Sequence, residues 1–178
     1  KLMNNQKTGE HVYDQVIASP TISQLPEAWL LGSSGQSAMQ AGQRGVSYSY
    51  AQFFTGNMSK DIFDTYKSYF TPSYYMEKPQ IIVTYATTVA DTLEEAEYLA
   101  KPIDITRLQL MKGQIIQAMS PEEAQDYPLT EMDKMMIENN RKANIVGTPK
   151  DVAAFLVAEQ EQYGFDEVML NCNQYAQE

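Results

Sequence analysis

The sequence predicts an α/β fold built on a parallel sheet, and two patterns support this prediction. Short runs rich in apolar and β-branched residues alternate with longer segments whose apolar residues recur at helical spacing. Glycine, serine, threonine and proline stand between these segments, where turns and helix caps are expected. Such alternation favours βαβ units, in which a helix connects two parallel strands.

The stretch from Pro26 to Gly45 contains the first of these units. Residues 28–31 have the length of a buried strand, and residues 32–35, Gly-Ser-Ser-Gly, form a turn before a helix over 36–44. Gly45 is expected to end that helix as a C-cap. A helix start directs unpaired backbone N–H groups towards one point, where an anion such as a phosphate is favoured. The alternative is an ordinary strand–helix turn with a good cap.

The rest of the chain continues the alternation, with extra helices before the last strand. Further strands are predicted at 46–54, 80–90 and 167–171, and residues 145–147 are expected to be a short linker. Hydroxyl side chains at helical start positions are expected to cap the helices. These predicted N-caps are Ser59, Thr92, Ser120, Thr130 and Thr148.

Two features inside the predicted helices lead to further expectations. Pro102 is expected to interrupt the helix that begins after Thr92, which then resumes towards Lys112. The helix from Thr130 to Asn140 has methionines at helical spacing, and methionine at such positions usually fills a core. The residues expected on that apolar side are Met132, Met135, Met136 and Ile137.

Length and charge limit the classes of protein that this chain can be. With 178 residues it is long enough for one ordinary domain, predicted over residues 26–178, after an irregular N-terminal segment over 1–25. Residues 1–90 hold six basic and six acidic side chains, so the whole net charge of −10 lies in residues 91–178. Nucleic-acid binding is not expected, because it requires clustered Lys and Arg. No apolar run approaches the ~18 residues of a membrane-spanning helix, so no membrane partner is expected.

Single histidine and cysteine residues exclude several kinds of catalytic site. His11 is the only histidine and lies in the N-terminal segment, which makes a Ser-His-Asp triad or a histidine-based metal site implausible. Cys172 is the only cysteine, so no internal disulfide forms, and we expect a cytoplasmic protein with a buried or inert thiol. No general base is evident, and the sequence alone leaves the catalytic residues unknown.

Several segments, in order, resemble the bacterial luciferase-like, flavin-dependent monooxygenase family. The first is Pro-Glu-Ala-Trp-Leu-Leu-Gly-Ser-Ser-Gly-Gln-Ser-Ala, which begins at Pro26. Others include Arg-Leu-Gln-Leu-Met-Lys-Gly-Gln from Arg107 and Val-Gly-Thr-Pro-Lys-Asp-Val from Val146. The matching segments are 26–38 with Ala41 and Gly45, 90–97, 107–114, 120–124, 146–152 and 163–169.

The resemblance implies half of a (β/α)8 barrel, with strands like the fifth to the eighth of that barrel. A complete barrel needs about 250 residues, and functional sites lie at the carboxyl ends of its strands. The first four strands and the final helix of the family pattern have no counterpart here. The chain is therefore expected to be either a fragment or a half-barrel that completes itself by association. A homodimer or a separate N-terminal half would cover the two open edges of its sheet.

The resemblance also implies a function and a set of site residues. Family members use reduced flavin and oxygen to oxidise a small organic substrate, so reduced FMN is the expected cofactor, with the deazaflavin F420 as an alternative. The turn residues Ser33, Ser34, Gly35 and Ser37 are expected to hold the cofactor phosphate. Three residues of the second strand, Tyr48, Tyr50 and Gln52, are expected either to border the flavin or substrate or to belong to the core. A non-catalytic flavin-binding module and a purely structural half-barrel are the alternative functions.

Overall fold

Five parallel strands form one sheet in the part of the chain that the structure describes, with six α-helices around it. The computed structural model describes residues 9, 11–17, 19–20, 26–116 and 118–175. The strands are β1 Trp29–Gly32, β2 Ser47–Ala51, β3 Ile81–Val89, β4 Asn144–Gly147 and β5 Glu167–Asn171. The helices are α1 Gly35–Arg44, α2 Lys60–Tyr69, α3 Leu93–Met111, α4 Pro121–Gln125, α5 Glu131–Asn140 and α6 Pro149–Tyr163.

The long strand β3 lies at the centre of the sheet. One of its edges pairs with β2, which in turn pairs with β1, and all these pairings are parallel. Its other edge is shared, because β5 pairs with residues 82–86 and β4 pairs with residues 86–89. This arrangement confirms the predicted parallel α/β sheet and half-barrel.

The core lies between one face of this sheet and the helices α1, α2 and α6. Alternate residues of β2 and β3 point to that face, where Tyr48 and Tyr50 are at most 2% exposed. The Tyr48 ring stacks on Tyr66 of α2 at 5.6 Å, and the Tyr50 ring meets Phe63 of α2 edge-on at 5.4 Å. These aromatic contacts fix helix α2 against the sheet.

Most predicted helix starts are confirmed, because their signals are local. The side chains of Thr92, Ser120, Thr130 and Thr148 each accept a hydrogen bond from a backbone N–H in the first turn. Ser59 precedes α2 as predicted, although its side chain makes no capping hydrogen bond. None of the described helices combines the length and the apolar character that a membrane crossing requires.

Two expectations about backbone continuity are wrong. Residues 145–147 belong to strand β4 and are not a linker. Strand β5 pairs only with residues 82–86 of β3, so the backbone groups of β3 beyond residue 86 need another partner, and β4 supplies it. Helix α3 runs unbroken through Pro102. Pro102 is buried with Ile105 and Leu108 on the packed face of α3, and this packing outweighs the backbone hydrogen bond that proline removes.

The expected burial of Met132 and Met135 is also wrong, and of the two alternatives for the Cys172 thiol, buried or inert, the structure excludes the first. Met132 and Met135 of α5 are 66% and 59% exposed, so they do not fill the core. The buried residue of α5 is Asp133, whose carboxylate accepts hydrogen bonds from Lys112 and Thr130. Cys172 is exposed, and its Sγ lies 3.2 Å from the Thr87 hydroxyl.

The predicted irregular segment 1–25 lies largely outside the described residues. Within it, Val12–Gln15 form one 3₁₀ turn, and the His11 side chain accepts a hydrogen bond from the Tyr13 N–H. The predicted domain over 26–178 has a described part that ends at residue 175.

Candidate functional site

The carboxyl ends of the parallel strands meet at one edge of the sheet, which we call the carboxyl edge. Strand β1 is followed there by Ser33 and Ser34, β2 by a 3₁₀ turn over Gln52–Phe54, and β5 by Cys172 and the residues after it. In open and closed α/β sheets, ligands bind at this edge because the connecting loops there vary without disturbing the strands. The turn between β1 and α1 therefore lies where a site is expected.

A reciprocal pair of serine hydrogen bonds builds the start of α1. The Ser34 hydroxyl accepts a hydrogen bond from the Ser37 N–H at 3.3 Å, and the Ser37 hydroxyl accepts one from the Ser34 N–H at 3.2 Å. The Ser37 hydroxyl also donates to the Ser34 carbonyl at 2.8 Å. Two of the backbone donors at the helix start are thereby satisfied within the turn.

Tyr48 supports this pair from the core. Its phenol oxygen lies 3.0 Å from the Ser37 hydroxyl and donates to the Ser34 carbonyl at 3.3 Å. Burial raises the pKa of Tyr48, so the phenol is neutral and keeps its proton for donation. Gly32 makes room for the contact, since a Cβ at that position would lie 2.2 Å from the Ser37 hydroxyl oxygen. The Ser37 hydroxyl is thus fully used in hydrogen bonds that stabilise the turn.

Two further backbone donors of the turn have no partner among the described residues. They are the N–H groups of Gly35 and Gln36, the first two positions of α1. The hydroxyl of Ser33 likewise has no hydrogen-bond partner in the described part of the chain. The exposed Ser34 hydroxyl lies 3.3 Å from the Ser37 hydroxyl, and either of the two can be the donor in that contact. No acidic side chain lies in the first turn of α1. These donors, at the positive end of the helix dipole, favour a bound anion.

Gly35 leaves open space beside these donors. A Cβ built on Gly35 would have no protein atom within 4 Å, so the glycine is not required by packing. The absence of a side chain instead lets a ligand approach the backbone. Of the predicted anchor residues, Ser33, Ser34 and Gly35 surround this space, while Ser37 organises it from within.

The three predicted strand residues lie deeper than the turn. Tyr48 and Tyr50 point to the helix-covered face of the sheet, and the Tyr50 phenol donates to the Asn57 carbonyl at 2.8 Å. Gln52 is 3% exposed, and its Nε2 donates to the Lys142 carbonyl at 3.0 Å. The Gln52 Oε1 is buried without a hydrogen-bond partner in the described structure. Of the two alternatives that the sequence left open for Tyr48 and Tyr50, the structure therefore supports the one in which they belong to the core.

Gln36 and the supporting role of Tyr48 are not among the site features that the sequence predicted. The N–H of Gln36 contributes through its position two residues after the N-cap, which is a signal that the sequence does contain. The contact between Tyr48 and Ser37 joins two elements, and no local pattern predicts it.

Comparisons with known proteins identify relatives of about twice this length. The chain is 35% identical over 164 residues to the uncharacterized Bacillus subtilis protein YceB, an alignment that covers 92% of this chain and 50% of YceB. It is 29% identical over 143 residues to an Escherichia coli luciferase-like monooxygenase, covering 80% of this chain and 43% of that protein. The chain spans about half the length of the curated relatives it matches. No family model matches it.

Solved structures agree with the fold. The apo structure of MsnO8 superposes with a TM-score of 0.79 at 25% identity, covering 91% of this chain and 50% of MsnO8. Two more distant structures share the fold at a TM-score of 0.54. One is the oxygenating constituent of 3,6-diketocamphane monooxygenase from Pseudomonas putida in complex with FMN, at 19% identity, covering 85% of this chain and 43% of that one. The other is an F420-dependent secondary alcohol dehydrogenase with an F420–acetone adduct, at 10% identity, covering 89% and 47%.

Proposed function

Because the chain belongs to the luciferase-like, flavin-dependent monooxygenase family, we propose that it carries the cofactor anchor of a flavin-dependent oxidoreductase. The proposed reaction uses reduced flavin and oxygen to oxidise a small organic substrate. The main support is the set of unpaired donors at the start of α1, with open space at Gly35. Reduced FMN is the proposed cofactor and F420 the alternative, because both have a phosphate for this turn to hold.

In this proposal each residue of the turn has a distinct part. The hydroxyls of Ser33 and Ser34 and the N–H groups of Gly35 and Gln36 donate hydrogen bonds to the phosphate. Ser37 and Tyr48 hold the turn in the conformation that directs these donors outward. Tyr50 and Gln52 support the strand that carries Tyr48. The bound cofactor supplies the oxidation chemistry itself, so the turn only has to bind and orient it.

Titrating the chain with FMN and with riboflavin, which lacks the phosphate, tests the anchor. We expect FMN to bind at least about tenfold more tightly, since charge-assisted hydrogen bonds to a phosphate are about twice as strong as neutral ones. Ser33→Ala is expected to weaken FMN binding several-fold, and Gly35→Val is expected to remove the preference for FMN, because its side chain fills the open space. Flavin fluorescence quenching and calorimetry measure both effects.

Ser120→Ala is the control for the loss of a serine hydroxyl next to a helix start, because Ser120 caps helix α4 and lies outside the α1 turn. This variant should bind FMN like the wild type. An equal affinity for FMN and riboflavin, or no binding of either, would contradict the anchor. Oxygen-dependent consumption of reduced FMN with an added aldehyde then separates a catalytic chain from one that only binds the cofactor.

We also propose that the half-barrel completes itself by association with a second copy or with a segment that supplies the remaining strands. The outer edges of β1 and β5 have no strand partner within the described residues. Unpaired edges expose backbone donors and acceptors that pair readily with another chain. The oligomeric state tests this proposal.

A further inference from the structure

A cavity opens at the carboxyl edge, lined by residues other than those of the α1 turn. Its volume is about 500 Å³, within the range of small-molecule sites. Three parts of the chain line it: helix α3, the segment before α4, and the residues that follow β5. Ile103 and Met119 contribute apolar walls, and Asn173 and Tyr175 contribute polar groups.

Arg107 is the only charged residue among the described residues that line this cavity. Its Nη2 donates a hydrogen bond to the carbonyl oxygen of Phe53, just beyond the end of β2. This contact holds the side chain beside the turn that follows β2. The other guanidinium N–H groups have no hydrogen-bond partner within the described part of the chain and are available to a ligand.

No carboxylate of the described residues forms an ion pair with Arg107. Asp104 lies one turn earlier on α3, but its carboxylate is already bound by Arg141, at 2.7 Å through Nη2 and 2.9 Å through Nε. Arg141 also pairs with Glu97 at 2.7 Å. Arg107 is therefore a half-buried positive charge that forms no ion pair and has only the longer-range attraction of Asp104, in a chain whose net charge is −10. Burial of such a charge is costly unless a partner compensates it.

We propose that Arg107 binds the anionic head group of the organic substrate, a carboxylate or a sulfonate, whose apolar part packs on Ile103 and Met119. This inference rests on the proposed function for the statement that the bound molecule is a substrate. The planar guanidinium suits such a head group because it can donate two parallel hydrogen bonds to two oxygens. The proposed cofactor anchor follows β1, whereas the cavity lies beyond the ends of β2 and β5, so the two sites share an edge but use different residues.

Calorimetric titrations of the 178-residue chain with hexanoate, hexane-1-sulfonate and hexan-1-ol test the inference. We expect both anions to bind and the neutral alcohol to bind at least about tenfold more weakly, as expected for a charge-assisted pair. Arg107→Gln should reduce the affinity for both anions to that of the alcohol. The affinity of Arg107→Lys for the anions should lie between those of the wild type and Arg107→Gln, because lysine keeps the charge but loses the bidentate geometry. Affinity should also rise up to about fourfold per methylene from butanoate to hexanoate, as the apolar walls cover more of the chain.

The matched control is Arg44→Gln, which removes an exposed arginine from the end of α1. It should leave anion binding unchanged, which excludes a general effect of net charge. Equal binding of anions and alcohol by the wild type would overturn the inference, as would unchanged anion binding in Arg107→Gln. If Arg107→Gln fails to fold, Arg107→Lys provides the test. The inference would be overturned if a folded Arg107→Lys variant bound the anions with wild-type affinity and bound hexan-1-ol as tightly as the anions.

Titration with FMN separates this inference from the proposed function. Arg107→Gln should bind FMN like the wild type, because the proposed phosphate donors lie on the α1 turn. A loss of FMN binding in this variant would instead assign Arg107 to the cofactor and overturn the substrate assignment. If the chain does not bind FMN but binds the anions in a way that depends on Arg107, the anion site would stand and the flavin anchor would be refuted.

Discussion

Asp104 combines burial with an ion pair, and the two act on its protonation in opposite directions. The side chain is 5% exposed, and its carboxylate lies 2.7 Å from Arg141. Burial raises the pKa of Asp104 to about 6, and the opposing effect of Arg141 does not restore the usual value, in part because Glu97 is also close. The ion pair therefore only partly offsets the removal of the carboxylate from water.

A pH-dependent stability follows from this residue. The folded-state pKa lies above the unfolded value, so binding of the proton stabilises the folded chain in full below about pH 4, and this contribution changes over the window from about pH 4 to pH 6. As the pH rises through this window the contribution is lost. Asp104→Asn removes the titration, and the stability of the wild type relative to this variant should be about 1 kcal/mol greater at pH 5 than at pH 7.

Urea denaturation of both proteins at the two pH values measures this difference. Asp133→Asn serves as the comparison, because hydrogen bonds from Lys112 and Thr130 hold the pKa of Asp133 down to about 2, outside this window. Its difference from the wild type should be the same at pH 5 and pH 7. A pH-independent difference between the wild type and Asp104→Asn would contradict the assignment.

At the scale of single residues, the sequence predicted what depends on near neighbours. Ser34 and Ser37 are three positions apart, and their mutual hydrogen bonds follow from the rules for a helix start. Arg107 and Phe53 are 54 positions apart, and no local pattern brings the guanidinium to that carbonyl. The same limit applies to Tyr48, whose aromatic character predicted a strand but not the phenol contact with Ser37.

Helices α1 and α2 approach each other closely at Gly42, which lies in the last turn of α1. A Cβ at Gly42 would be 2.7 Å from the Tyr66 carbonyl oxygen and 3.1 Å from the Phe70 nitrogen. The Gly42 carbonyl accepts a hydrogen bond from the Thr71 N–H at 3.0 Å. The contact is between backbones, so no side-chain movement can relieve a larger residue there.

Gly42→Ala is therefore expected to destabilise the chain, although alanine favours helix over glycine by about 1 kcal/mol. Separating the two helices should lower the free energy of unfolding by about 1–3 kcal/mol. Gly35→Ala is the matched control in the same helix, since its Cβ meets no protein atom within 4 Å, and its stability should change by no more than about 0.5 kcal/mol. Denaturant unfolding of both variants makes the comparison, and equal stabilities would contradict a backbone contact at Gly42.

At the scale of elements, tertiary packing explains where the sequence predictions failed. Pro102 carries a strong local signal for a helix break, yet it lies on the buried face of an unbroken α3. Strand β4 is only four residues long, and it forms because residues 86–89 of β3 offer it an edge to pair with. Met132 and Met135 have core-like spacing, but the helix turns Asp133 inward to meet Lys112. Each outcome depends on a partner that is distant in the sequence.

The sheet as a whole has one face covered by helices and one face with exposed apolar side chains at its margins. Leu30 packs against the core, so its neighbour Leu31 points to the opposite face, where it is 58% exposed. Met169 of β5 lies on that same face, in register with Thr84 of β3, and is 52% exposed. The two residues flank the sheet beside its unpaired edges, where the missing strands of a barrel would pack.

Self-association of the chain is the expected consequence, because pairing would cover both edges and these apolar margins at once. Light scattering during size-exclusion chromatography should give a mass above that of one chain. Leu31→Asp combined with Met169→Lys should shift the protein towards the monomer. Val157→Asp is the control, since Val157 is also 58% exposed but lies on helix α6. A wild-type chain that is monomeric at high micromolar concentration would rule out a second copy as the partner, and the remaining strands would then have to come from a different polypeptide segment.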